Sequence, residues 1–354
     1  MNYVGIDYHK KYSVVTTVNE SGQMLSSKRI DNHPEALEDY FEEIEGPSRV
    51  VLEACRTWGV MFDMLEEMQE VESVQLAHPQ KVRAIAEAKI KTDKIDSLTL
   101  AQLLRADLIP AAYIPGKETR SYKDMIRQRI FMVRTRTKLK NRLHVLLDRQ
   151  HISMPLAADV FGKRGMAYLR NLDLPGPDGE ILRENLNLLE VLNQLIKEAE
   201  KEIGNLLGKD ERVQRLRTIP GLGAILSAVV ALEIDQIERF TEPKKLAAYA
   251  GLVPSTYASG GKCFHGHLLP MSNKWLRWAL VEASWVAIRH SAYCRNYFEK
   301  HKRRKGANTA IIALARRLGE IIWHVWKENR GYEERACFLR KNNKKTSPVA
   351  LSVI

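Results

Sequence analysis

Four carboxylates stand where a folded chain can gather them. Asp7 closes the apolar run Tyr3-Val4-Gly5-Ile6, and Glu53 closes Arg49-Val50-Val51-Leu52. Asp93 and Asp96 lie three residues apart in Lys91-Thr92-Asp93-Lys94-Ile95-Asp96, a spacing that puts both on one face of a helix. Acids brought together without a countercharge repel, and their hard oxygens favour Mg²⁺ or Mn²⁺ among them. Two such ions about 4 Å apart stabilise the attacking and leaving oxygens of a phosphodiester. The chemistry to expect is phosphoryl transfer, with Asp7, Glu53, Asp93 and Asp96 as catalytic metal ligands. Singly, each acid reads equally well as a turn residue, a helix cap or a solvated charge, so only their joint placement argues for a site. Asp31, Asp63 and Asp107 lack such placement and read as surface charges.

The elements that must position these acids follow from pattern. Tyr3–Asp7, Tyr12–Val18 and Met24–Ile30 read as a three-strand meander, with Asn19-Glu20-Ser21-Gly22 as a turn. Pro34 opens a helix whose Leu37, Tyr40, Phe41 and Ile44 recur at helical spacing. A buried strand at Arg49–Glu53, a helix near Trp58–Met68, a strand near Ser73–Ala77 and helices from Pro79 to Arg105 complete a βββαβαβα order. That order, with an acid ending the first and fourth strands, resembles the ribonuclease H-like fold. The resemblance implies that the two strands lie side by side and that the last helix brings Asp93 and Asp96 to them.

Charge separates the chain into unlike parts. Of 354 residues, 45% are hydrophobic and 28% charged, with a formal net charge of +12. Residues 1–117 carry a net −6 and the remaining 237 a net +18. This asymmetry favours nucleic-acid binding by the second part over a merely basic surface. No apolar run nears the ~18 residues of a membrane span. The first residues lack the pattern of a signal peptide. Cys55, Cys263, Cys294 and Cys337 form no Cys-x-x-Cys pair, which excludes a zinc ribbon and fits a reducing compartment. A cytoplasmic, membrane-free protein is expected.

Leu108–Gly116, with Pro110 and Pro115, reads as a linker. Beyond it, residues 120–149 form a long helix bearing Arg127, Arg129, Arg134, Arg136, Lys138, Lys140 and Arg142, offset within the stretch only by Asp124 and Asp148. Backbone contact with nucleic acid is the expected role. A second helix, Ile181–Leu207, shows a heptad pattern: Leu182, Leu189, Ile196 and Ile203 on one seam, Asn185, Leu192, Ala199 and Leu206 on the other. It reads as a coiled coil or helical hairpin, within or between chains, with Asn185 as a possible register device. Thr218-Ile219-Pro220-Gly221-Leu222-Gly223-Ala224 resembles a helix–hairpin–helix turn, where Gly221 and Gly223 would let backbone N–H groups hold a phosphate.

A later series, Ala250-Gly251-Leu252-Val253-Pro254, Ser259-Gly260-Gly261, Gly266, Asn273 and Leu276-Arg277, resembles the C-terminal domain of bridge-RNA-guided insertion-sequence transposases of the DEDD type (insertion sequence family 110), relatives of Piv-type DNA invertases. Gly5-Ile6-Asp7, Leu52-Glu53-Ala54, the 91–96 segment, Lys140-Asn141-Arg142-Leu143 and Ile219-Pro220-Gly221 match the same family, so the resemblance spans nearly the whole chain. It implies a RuvC-like domain at 1–115, a basic-helix and coiled-coil region at 116–208, a mainly helical transposase domain at 209–345 and a tail at 346–354. The overall class is then α/β plus all-α.

By the same resemblance Asp7, Glu53, Asp93 and Asp96 are the metal tetrad and Ser259 the nucleophile, with Gly260, Gly261 and Arg277 beside the nucleic acid. Ser255 is a nearby competitor, less favoured because no glycine pair follows it. Where the family commonly has a Lys and a Gly before the Asn, this chain has Pro270 and Ser272. The implied partners are donor and target DNA, a structured bridge RNA, and further copies of the chain in a dimer or tetramer at the prokaryotic nucleoid. A Piv-like invertase without guide RNA, a RuvC-like junction endonuclease and a non-catalytic nucleic-acid scaffold are the alternatives.

Overall fold

The computed structural model describes residues 1–86, 92–152, 159–259, 262–268 and 271–334. The chain divides after Pro115 into two compact units.

The first unit is a mixed α/β domain. Its elements are β1 (Asn2–Tyr8), β2 (Tyr12–Val18), β3 (Met24–Asp31), α1 (Pro34–Glu42), β4 (Ser48–Glu53), α2 (Trp58–Glu66), β5 (Val71–Ala77), α3 (Pro79–Ile85) and α4 (Asp93–Arg105). The five strands are ordered β3-β2-β1-β4-β5. β1 pairs antiparallel with β2 and parallel with β4, in a register that sets Ile6 against Leu52. Alternation along the strands splits the core between two sheet faces. Val4, Ile6, Val50 and Leu52 pack with Leu37, Phe41, Met61 and Leu65, whereas Val51 and Ala77 pack with Leu100 and Leu104 of α4.

α4 can approach the second face because Gly5 has no side chain. A Cβ there would lie 2.0 Å from the Ser97 carbonyl oxygen. Buried Ser97 also shares a 2.8 Å hydrogen bond with Thr16 of β2, which sets the helix's position along the sheet. Thr92 caps the helix by accepting from the Ile95 amide at 3.3 Å.

The second unit is mostly helical: α5 (Lys117–Arg149), α6 (Lys163–Arg170), α7 (Pro177–Leu207), α8 (Glu211–Leu216), α9 (Ala224–Ile234), α10 (Pro243–Tyr249), a hairpin of β6 (Pro254–Ser259) and β7 (Lys262–Leu268), then α11 (Lys274–His290), α12 (Ala292–Lys305) and α13 (Ala307–Lys327). The hairpin carries Ser255, Ser259 and Gly266. Among the described residues no helix is long and apolar enough to cross a membrane.

The heptad helix finds its partner within the chain. Arg129 pairs with Glu200, Arg136 with Asn193 at 3.2 Å and Arg149 with Asp178 at 3.1 Å, so α5 and α7 run antiparallel. One seam is buried as the pattern predicts, at Leu182, Leu189, Ile196 and Ile203. The second line holds at Leu192, which is buried, and at half-buried Asn185 and Ala199, and departs only at its end. Leu206 is 43% exposed, while Leu186 and Leu207 are buried, at 2% and 3%. Leu186 and Leu207 add buried contacts at the two ends, while exposed Asn193 and Glu200 flank the seam and meet Arg136 and Arg129. A straight helix drifts about 20° per heptad away from a strict seven-residue repeat, which by the last heptad turns Leu206 outward and Leu207 inward. Asn185 donates to the Ile181 carbonyl of its own helix at 2.6 Å, a bond that spans one turn and is blind to register.

Candidate metal centre

Strand parity decides what shares a face with Gly5. Asp7 is two residues on in β1, and Glu53 is two residues past Val51 in β4, so both belong to the face that α4 covers. The Ile6–Leu52 register places Asp7 and Glu53 one step further along adjacent parallel strands. Asp93 and Asp96 occupy the first turn of α4, where the helix N-terminus favours negative charge. Folding thus brings the four predicted acids to one end of one sheet face.

The tightest grouping contains a residue that the sequence reading passed over. Single ligand atoms of Asp7, His9 and Asp93 lie within 4.8 Å of one another. His9 Nε2 is 3.2 Å from Asp7 Oδ2 and 3.3 Å from Asp93 Oδ2. Tyr12 donates to Asp93 Oδ2 at 3.2 Å, and its ring lies 4.8 Å from the His9 ring. The Arg29 guanidinium lies 3.7 Å from the Tyr12 ring centre. Asn32 steadies the turn between β1 and β2 by donating to the His9 carbonyl at 2.7 Å while accepting from Ser13 at 2.7 Å. The available signal was the Asp7-Tyr8-His9 spacing: a residue two after a strand-end acid continues on the acid's face.

Burial pushes the Asp7 carboxyl above its ordinary range; the adjacent His9 opposes this, and the charges of Asp93 and Asp96 add to it. Half-buried acids that repel one another are suited to a divalent cation, which would replace repulsion with coordination. Glu53 and Asp96 are half-buried beside this group but outside the closest three. At the end of β5, next to the Glu53–Ala77 register pair, His78 has a buried Nδ1 without a hydrogen-bond partner.

Two family models match the chain. Residues 4–152, which include all four acids and His9, match a DEDD transposase model, and residues 213–299 match the transposase IS116/IS110/IS902 family model. The chain belongs to this transposase family. It is 28% identical to a probable family 20 transposase of Pseudomonas aeruginosa, over 94% of this chain and 98% of the relative. It is 28% identical to the IS1328 transposase of Yersinia enterocolitica, over 91% and 96%, and 26% identical to the IS1111A transposase of Coxiella burnetii, over 93% and 90%.

In the second unit of the transposase, Ser259 ends β6 and is in register with Lys262 at the start of β7. Ser255 lies at the hairpin's other end, where Gly266 leaves room for its hydroxyl: a Cβ at 266 would be 2.5 Å from Ser255 Oγ. Gly260, Gly261, Pro270 and the 346–354 tail lie outside the described residues. Arg277 donates to the Ala250 carbonyl at 3.2 Å and to Ser272, so Ser272 serves as an anchor for the arginine. Asn273 caps α11 by accepting from the Leu276 amide at 2.9 Å, and it donates to Glu233 at 2.9 Å.

The basic helix is less free than its sequence suggests, because its counter-charges come from other helices. Glu233 of α9, only 5% exposed, accepts from Arg127 at 2.9 Å and pairs with buried Lys123 at 3.5 Å. Arg134 stacks near Trp275 and Trp278, at 5.3 and 5.8 Å. Arg136 contacts Asn193, and Lys140 lies 4.8 Å from the Phe161 ring. Lys138 and Arg142 are exposed. Gly221, at φ +90°, is a packing residue: a Cβ there would meet the Ala283 carbonyl at 2.1 Å. Gly223 is exposed at the start of α9. A further basic run, Lys302-Arg303-Arg304-Lys305, is exposed at the end of α12.

Proposed function

We propose that this transposase cuts and rejoins DNA by phosphoryl transfer, with Asp7, Glu53, Asp93 and Asp96 of a ribonuclease H-like (RuvC-like) unit holding Mg²⁺ or Mn²⁺ and Ser259 as nucleophile. The observation that carries the reading is the meeting of Asp7 and Asp93, 86 positions apart in the chain, within a segment that matches a DEDD transposase model. When bound, the cation supplies positive charge to the scissile phosphate. The chain supplies the rest. Ser259 Oγ forms a bond to phosphorus, the phosphorus–O3′ bond breaks, and the serine proton ends on the departing 3′ oxygen. The product is a 5′-phosphoseryl–DNA link and a free 3′-OH. Attack by a second strand's 3′-OH reverses the exchange with the same bonds made and broken.

Lys138, Lys140 and Arg142 contact phosphates, and a structured bridge RNA reads donor and target sequence by base pairing, in keeping with the basic second part of the chain. Assembly of a dimer or tetramer supplies the strand exchanges that joining two duplexes requires.

Trapping on a nicked, end-labelled substrate tests the chemistry. Wild-type protein should yield a covalent adduct mapped by mass spectrometry to Ser259; Ser259→Ala should lose adduct and recombination while still binding DNA. Cleavage that survives in Ser259→Ala without an adduct would identify a metal-only endonuclease instead, and attachment at Ser255 would move the nucleophile to the hairpin base. Recombination by RNA-free protein would favour the Piv-like mode.

A further inference from the structure

Resting on the metal reading above, we infer that His9 is itself a ligand of the cation, making the centre a mixed nitrogen–oxygen site that prefers Mn²⁺ over Mg²⁺. The inference stands on the placement of three donor atoms. His9 Nε2 lies 3.2 and 3.3 Å from single oxygens of Asp7 and Asp93. At 3.2 Å the Asp7 contact is an ordinary hydrogen-bond length, but one N–H cannot point at two carboxylates at full strength. A single proton therefore leaves one of the two carboxylate oxygens facing the ring nitrogen unserved. Single donor atoms of Asp7, His9 and Asp93 lie within 4.8 Å of one another, close enough to share one cation.

The donor set points the same way. Imidazole nitrogen ranks first-row transition ions above Mg²⁺, while the surrounding carboxylates keep the site hard, and Mn²⁺ satisfies both. The ring is also held for this purpose. Tyr12 packs against His9 and donates to Asp93, and Asn32 holds the His9 carbonyl. Outer partners of this kind orient a ligand rather than a free surface histidine.

Electron spin-echo spectroscopy of the full-length protein loaded with Mn²⁺ tests it without reference to activity. The wild type should show hyperfine coupling to a directly bound ¹⁴N, converted to the ¹⁵N pattern when histidine is ¹⁵N-labelled. His9→Gln should lose the coupling and bind Mn²⁺ about tenfold or more weakly, with Mg²⁺ affinity changed by less than about threefold. Bound Mn²⁺ without nitrogen coupling in the wild type would overturn the assignment of His9 and leave the carboxylate reading standing, as would coupling that persists in His9→Gln. Mn²⁺ binding unaltered by Asp7→Asn, or no binding at all, would overturn the metal reading and this inference together.

Discussion

Replacing Gly5 with alanine should damage the metal centre without touching any of its ligands. The added Cβ would stand 2.0 Å from the Ser97 carbonyl oxygen and 2.6 Å from the Ala101 nitrogen, both backbone atoms of α4. Ordinary contacts begin near 3.4 Å, so the helix must retreat from the sheet by about 1.4 Å in a close-packed core. Overpacking of this kind costs about 1–3 kcal/mol, and a clash with backbone belongs at the upper end. For a unit of this size the loss corresponds to a Tm decrease on the order of 10 °C. The site should suffer more than the fold. Asp93 lies one turn before Ser97 on the same helix and moves with it, whereas metal ligands tolerate about ±0.2 Å and a misplacement of about 1 Å costs about 100-fold in rate. The assay combines thermal melts, Mn²⁺ calorimetry and cleavage of a labelled oligonucleotide. Val4→Ala is the control, because Val4 is fully buried on the opposite sheet face and leaves α4 in place. Cation affinity that falls no further in Gly5→Ala than in Val4→Ala would refute the reasoning.

Two other expectations follow from the same structure. Because the folded protein holds the Asp7 carboxyl above its usual value, the native state binds more protons than the unfolded one across that window, so stability falls as pH rises through it and the deficit persists at neutral pH. Asp7→Asn should therefore raise Tm in excess EDTA at pH 7, lose that advantage as pH falls below the ordinary aspartate value of 3.8, and lose the stabilisation that saturating Mn²⁺ confers on wild type, about 2.7 kcal/mol at 100 times Kd; a variant equal to wild type in EDTA at both pH values would contradict it. Neutralising Lys138, Lys140 and Arg142 should lower the slope of log affinity against log salt by ~0.7–0.9 per lost phosphate contact, whereas Arg127→Gln should leave the slope unchanged and lower Tm, because it strips a partner from buried Glu233; the reverse pattern would make Arg127 the phosphate contact.

Much of the first unit was legible because it is written locally. Alternating apolar residues, a turn at Asn19–Gly22 and acids at strand ends gave the element order and the four carboxylates, since strand period and turn chemistry act over a few residues. Sequence spacing also marked one seam of α7 in full and the other up to Leu206. What it could not supply was anything decided by a neighbour distant in the chain. His9 looks like any turn histidine until α4 brings Asp93 to it. Gly5 looks like a weak strand residue until Ser97 packs on it. Arg127 looks like a phosphate ligand until α9 places Glu233 beside it, and Gly221 looks like a phosphate turn until Ala283 closes over it. The physical reason is the same in each case. Charge neutralisation and steric fit depend on distances through space, which covalent spacing controls only within a strand or a helical turn, so the residue types came from the sequence and their partners from the tertiary fold.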